Sequence, residues 1–130
     1  MDKRALTERD ICTKYITPAL VARGWDVHLQ VRENVYLTDG RVIVRGKLVT
    51  RGQRKFADYV LFHKPNLPLA VIEAKDANHS VGDGMQQALG YAEMMDVPFV
   101  FSSNGDAFLF HDRTGQSAQV EQQLTLAQFP

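Results

Sequence analysis

Leu69-Ala70-Val71-Ile72-Glu73-Ala74-Lys75 is the stretch that decides the fold. It is apolar without alternation through Ile72 and then turns abruptly to Glu73 and Lys75. An unbroken apolar run of this length marks a strand buried on both faces. Residues two apart in a strand share a face, so Glu73 and Lys75 point the same way. Residues 56–62 read as a strand too, and the turn-rich His63-Lys64-Pro65-Asn66-Leu67-Pro68 joins the two into a hairpin. If Phe62 pairs with Leu69, Asp58 falls opposite Glu73. Two carboxylates and a lysine then meet at the end of a buried strand.

Downstream, residues 81–95 read as a helix with Ser80 and Asp83 as its start signal. Met85, Leu89 and Ala92 form its core stripe, with Ala88 and Met95 beside it. Gln87 and Tyr91 are stacked neighbours one turn apart. Gly84 and Gly90 weaken the helix but allow close packing. Strands follow at 98–102 and 107–111, with Asn104-Gly105 as a two-residue hairpin turn. Residues 116–130 are rich in glutamine and offer no clear core.

Upstream, residues 7–23 read as a helix with a Thr7 N-cap, Asp10 as its box partner, and Gly24 as its stop. Pro18 should kink or divide it. Glu8 lies over the stripe of Ile11 and Tyr15, where a carboxylate either favours the helix dipole or serves a metal or partner. Residues 25–37 look extended, Asp39-Gly40 is a turn, and 42–49 is a strand. Arg41, Arg45, Lys47, Arg51, Arg54 and Lys55 make six basic residues with no acid among them. Such a run either meets a phosphate backbone or keeps an edge strand solvated.

The 130 residues carry fifteen Lys plus Arg against fifteen Asp plus Glu. Zero net charge does not exclude nucleic acid, because binding uses patches and not totals. A content of 45% hydrophobic and 23% charged residues is that of one globular domain. Cys12 is alone, which excludes an internal disulfide or a cysteine-rich zinc site, and packs best as a small buried hydrophobe. His28, His63, His79 and His111 are scattered without a metal-binding helix pair. Trp25 fits packing at a helix–strand corner. No run reaches the roughly 18 apolar residues of a membrane span, and no signal peptide is visible, so a cytoplasmic protein without a membrane partner is expected.

Two carboxylates on adjacent strand ends can hold Mg²⁺ through hard oxygen ligands, and such an ion activates a water against a phosphodiester. Lys75 can orient that water or offset developing charge. Taken alone, the Asp58/Glu73/Lys75 spacing fits a surface salt bridge between Glu73 or Asp58 and Lys75 better than a catalytic site. The wider pattern is more specific. It comprises Thr7-Glu8 through Gly24-Trp25-Asp26, Thr38-Asp39-Gly40-Arg41, Arg54-Lys55-Phe56-Ala57-Asp58-Tyr59, Ala70-Val71-Ile72-Glu73-Ala74-Lys75, residues 87–92 with Gln87 and Tyr91, and Ser103-Asn104-Gly105.

This order resembles the PD-(D/E)XK nuclease superfamily, and more closely the N-terminal endonuclease domain of the R subunit of type I restriction enzymes, over residues 7–112. Gln87-x-x-x-Tyr91 is similar to that group's Q-x-x-x-Y motif. One departure is Ala57 where the name motif has proline. The resemblance implies a three-layer α/β/α restriction-endonuclease-like fold around a central mixed sheet of about five strands. It implies a nuclease domain over 1–115 and a tail over 116–130 leading toward a downstream translocase. It implies Mg²⁺-dependent cleavage of double-stranded DNA in host defence, with Mn²⁺ able to substitute. Asp58, Glu73 and Lys75 would be catalytic, and Asp58, Glu73 and Glu8 would hold the metal. Gln87, Tyr91, Arg54, Lys55, Arg51 and Lys47 would position the phosphate or DNA strand. Methyltransferase and specificity subunits are the implied partners. ATP would enter only through the translocase, since the chain has no Gly-rich phosphate loop. Two alternatives stand beside this reading: a non-catalytic DNA-binding or assembly module on the same fold, and the same nuclease chemistry in a repair or resolvase system.

Overall fold

In the computed structural model, which describes residues 3–37, 55–64, 66–116 and 119–130, six strands form one mixed sheet in chain order. They are β1 (Val31–Leu37), β2 (Lys55–Lys64), β3 (Leu67–Ala74), β4 (Phe99–Ser103), β5 (Ala107–Asp112) and β6 (Glu121–Thr125). Neighbours are antiparallel except β3 and β4, which are parallel. A parallel pair needs a crossover, and helix α3 (Met85–Met95) supplies it. The strand expected at 42–49, the Asp39-Gly40 turn, and Arg41, Arg45, Lys47, Arg51 and Arg54 lie outside the described residues, as does the Lys55 side chain.

β3 is central because it is buried on both sides. Ala70 and Ile72 pack with Ile11, Ile16, Leu20, Tyr59 and Phe108. Val71 packs with Val60, Val100, Met85 and Ala88 of the opposite cluster. Helices therefore cover both faces, in the expected three layers. Each Val or Ile buried in this way contributes about 1.5–3 kcal/mol over exposure, so the apolar run is what holds the strand in the middle.

The expected first helix is present but divided. It comprises α1 (Glu8–Ile11), a π-helical turn (Cys12–Ile16) and α2 (Thr17–Ala22). Thr7 and Asp10 form the expected capping box: each side chain accepts the other's backbone N–H at 3.1 Å. Pro18 explains the division. It lacks an N–H, and its ring would collide with the carbonyl four residues back. The π turn widens just before it, where the Thr17 N–H donates to the Cys12 carbonyl. Gly24 closes the helix at φ 94°.

Several expectations are corrected. Among the described residues the sheet has six strands where about five were expected, because the glutamine-rich tail supplies β6. An outer strand held through its backbone needs few apolar side chains, so no hydrophobic pattern marks it. Its anchor is Phe129, 1% exposed, whose ring lies 4.6 Å from Phe101 and 4.7 Å from Phe108. Residues 25–30 are not extended, since the Asp26 carboxylate accepts the N–H groups of His28 and Leu29 and bends the chain. Ser80 and Asp83 do bond to each other, but they cap the turn at 81–84 and the helix starts only at Met85. Asn104-Gly105 sits in a longer loop between Ser103 and Phe108. The Asn104 side chain is committed there, accepting from the Asp106 N–H and donating to the His79 carbonyl. Gly90 is exposed with open space where a Cβ would be, so no close packing depends on it.

Candidate active site

The β2–β3 ladder pairs Tyr59 with Ile72, Val60 with Val71 and Leu61 with Ala70. Asp58 and Glu73 are the next positions, as the hairpin arithmetic expects. Phe62 itself pairs with Pro68, because the register shifts after Leu61. Where the regular ladder ends, side chains take over. The Asp58 N–H donates to Glu73 Oε1 at 2.9 Å, and the Ala74 N–H donates to Asp58 Oδ2 at 2.7 Å.

Neighbouring strands shape this end of the sheet. In β1, Glu33 pairs with Tyr59 and Val35 with Ala57, but Asn34 is skipped opposite Asp58 and takes φ 56°. Asparagine tolerates this left-handed conformation better than most residues. On β2, Ala57 and Val60 pack into one core cluster while Tyr59 packs into the other. Strict alternation thus breaks at Asp58.

The electrostatics of the pair follow from burial. Glu73 is 3% exposed. Burial first, and then the Asp58 charge, push its carboxyl up to about 8. Asp58 is also raised by burial, against the pull of the Ala74 N–H, Glu73 and Lys75. Two buried carboxyls this close ionise together only at a cost, so near neutrality the pair retains a proton. A divalent cation could take that proton's place. The donors are hard carboxylate oxygens, and Mg²⁺ commonly takes one or two protein carboxylates and completes its shell with water and phosphate. The pair fits such an ion.

Glu8 is not drawn into the pair. Among the described residues, no three His, Cys, Asp or Glu side chains gather closely enough to hold a metal. Nor does Glu8 lie over the buried stripe, for it is exposed and lines a cleft of about 370 Å³ together with Arg9, Cys12, Asn34 and Asp58. It still belongs to this neighbourhood. Burial and the Asp58 charge raise its carboxyl, while Lys75 and His79 act the other way. Its first-turn position behind Thr7 suits the helix dipole as well.

Lys75 follows β3, with its N–H bonded to the Ser103 carbonyl at 2.9 Å. It forms no ion pair among the described residues, so the salt bridge that the spacing also allowed is absent. On α3, Gln87 Nε2 donates to the Tyr91 hydroxyl at 2.7 Å. Tyr91 is part of the core, and its hydroxyl is raised by burial and by the charges of Glu73 and Asp58. It therefore packs in the core while its hydroxyl feels the charges of the carboxylates. Lys47, Arg51 and Arg54 lie outside the described residues, as does the Lys55 side chain.

Two contributors escaped sequence reasoning. Asn34 is one, hidden in a polar, unpatterned segment. Ser102 is the other, while the close packing expected at Gly84 is present. Buried Ser102 Oγ accepts the Gly84 N–H at 3.2 Å and donates to the Val81 carbonyl at 2.8 Å, fastening the turn before α3 to β4. A Cβ on Gly84 would stand 3.0 Å from Ser102 Oγ and 3.3 Å from Glu73 Cβ. The available signal was a glycine pair, Gly82 and Gly84, facing a polar break in an apolar strand.

The remaining candidates take bland roles. Burial pushes the Cys12 thiol up to about 12, which removes it as a nucleophile. Trp25 packs edge-on against Phe129. Among the described residues, no helix is long and apolar enough to cross a membrane.

Comparison with known proteins completes the description. Residues 5–119 match the family described as type I restriction enzyme R protein N terminus. Over 126 residues the chain is 54% identical to the type I restriction enzyme EcoAI endonuclease subunit of Escherichia coli, covering 96% of this chain and 16% of that subunit. A solved fragment described as an HsdR subunit of a type I restriction enzyme from Vibrio vulnificus YJ016 superposes with TM-score 0.77 at 43% identity, over 96% of this chain and 24% of that one.

Proposed function

The chain belongs to the type I restriction enzyme R protein N-terminal family, and on that premise we propose that it is a Mg²⁺-dependent endonuclease domain that hydrolyses DNA in host defence. The observation that carries this reading is the pair of crossed bonds that holds Asp58 and Glu73 side by side, next to a lysine with no ion-pair partner among the described residues.

In this reading Asp58 and Glu73 would hold the cation, and the proton they share would be displaced to solvent. Mg²⁺ bound there, or Mn²⁺ in its place, supplies Lewis-acid polarisation of the phosphodiester and a water of lowered pKa. Lys75 orients the attacking group and offsets charge developing on the phosphoryl oxygens. Gln87 and Tyr91 position the phosphate or the DNA strand from α3. Glu8 adds negative charge to the cleft without entering the pair. Lys47, Arg51, Arg54 and Lys55 meet the duplex backbone, where each neutralised phosphate adds salt-sensitive affinity.

The chain spans 16% of the E. coli subunit it matches. Partnership with methyltransferase and specificity subunits, ATP-driven translocation by another part of the R subunit, and work in the cytoplasm are accordingly parts of the same proposal. The family match favours restriction over a repair or resolvase setting. One observation favours a second reading, a non-catalytic DNA-binding or assembly module: no third carboxylate joins the pair among the described residues. Titration calorimetry with Mg²⁺ separates the two. Binding that disappears in Asp58→Ala supports the nuclease, and no binding by the unaltered chain supports the module.

A further inference from the structure

Tyr59 is fully buried directly after Asp58, and its hydroxyl reaches out of the sheet into the first helix. It donates to the Cys12 carbonyl at 3.0 Å and lies 2.7 Å from Thr17 Oγ1. Cys12 opens the π turn, so its carbonyl also accepts the Thr17 N–H, five residues on. A backbone carbonyl has two lone pairs and can take both bonds. The Cys12 N–H in turn bonds back to the carbonyls of Glu8 and Arg9. A continuous path therefore runs from Asp58 through Tyr59 and Cys12 to Glu8. Three of these residues, Glu8, Cys12 and Asp58, line the same cleft. π-helical turns inside helices are frequent at functional sites, and here the turn is the place where the sheet grips the helix.

We propose that Tyr59 is a positioning residue that sets the distance between Glu8 and Asp58 across the cleft, by holding the π turn of the first helix to β2. It acts through Glu8 and touches neither metal nor DNA itself. The inference rests on the metal reading of the Asp58–Glu73 pair.

The test is Mn²⁺ titration calorimetry on the 130-residue chain, its Tyr59→Phe and Glu8→Gln variants and the double variant, with melting curves for each. Tyr59→Phe keeps the ring in the core and removes only the hydroxyl. It should weaken Mn²⁺ binding roughly tenfold, as loss of an outer partner of a metal site does. Glu8→Gln should weaken binding to a similar degree. The double variant should be no weaker than the weaker single, because both changes remove one effect. Unchanged affinity in Tyr59→Phe or in Glu8→Gln overturns the proposal, and so do losses that multiply. Should Tyr59→Phe fail to fold, Thr17→Val, which removes one partner of the hydroxyl, takes its place. It should weaken binding in the same direction, and unchanged affinity there overturns the proposal. An unaltered chain that binds no Mn²⁺ removes the metal reading and this inference together. A chain that binds normally but ignores Tyr59 removes this inference alone.

Discussion

Asp58 and Glu73 are held side by side by two crossed bonds: Glu73 Oε1 accepts the Asp58 N–H, and Asp58 Oδ2 accepts the N–H of the next residue, Ala74. The last rung of the β2–β3 ladder is thus built from carboxylates, which fixes two acidic side chains where a sheet would otherwise fray. Asp58→Asn keeps an acceptor for Ala74 and removes the charge that raises Glu73. It should fold with unchanged or higher melting temperature and show no melting shift with Mg²⁺, where the unaltered chain should show one. Asp58→Ala, which orphans the Ala74 N–H, should lose about 1–3 kcal/mol by urea unfolding.

The same pair predicts a pH dependence. Unfolded, Glu73 ionises near 4.5, and folded near about 8. Between those values the folded state holds the extra proton, so this group's contribution makes stability fall as pH rises, and the fall ends above the folded value. In chelator, the melting temperature of the unaltered chain should therefore decline from pH 5 toward pH 8 more steeply than that of Glu73→Gln. Mg²⁺ should raise it most at the alkaline end, where the ion no longer competes with a proton. Parallel slopes for the two proteins would contradict the assignment.

Gly84 is needed for the space it leaves empty. A Cβ there meets Ser102 Oγ at 3.0 Å and Glu73 Cβ at 3.3 Å, while its backbone, φ −88°, is ordinary. Gly84→Ala should cost about 1–3 kcal/mol of stability through overpacking, measured by urea unfolding. Gly90→Ala, with nothing near it, should be neutral or stabilising by a few tenths to about 1 kcal/mol.

Phe129 ties the tail to the core. Phe129→Ala should cost about 3–5 kcal/mol, and removal of residues 116–130 should expose Phe101 and Phe108 and lower the melting temperature sharply. A truncated chain that melts like the whole would refute the role given to the tail.

How far the sequence could be read depends on where its information lay. β3 was legible because its apolar run is a direct record of double-sided burial; the register that sets Asp58 beside Glu73 was reached through a Phe62–Leu69 pairing that the chain does not form, and it holds because Tyr59 to Leu61 pair in that register. The Thr7–Asp10 box and Pro18 were legible because capping and proline sterics act over a few residues. β6 was not, since an outer strand paired through its backbone leaves no pattern, and Phe129 is one residue in a polar tail. Asn34 and Ser102 were not, because their roles depend on contacts far away in the chain. Glu8 was placed on the wrong part of its helix face, although its proximity to Asp58 was foreseen.

On the proposed reading, Asp58, Glu73 and Lys75 cut DNA. Its most direct test is cleavage of a supercoiled plasmid bearing the recognition site by the complete restriction complex, with Lys75→Ala in the R subunit. The prediction is a loss of strand cleavage of at least about a hundredfold, with DNA binding and ATP hydrolysis unchanged. Cleavage at the unaltered rate by that variant would contradict it.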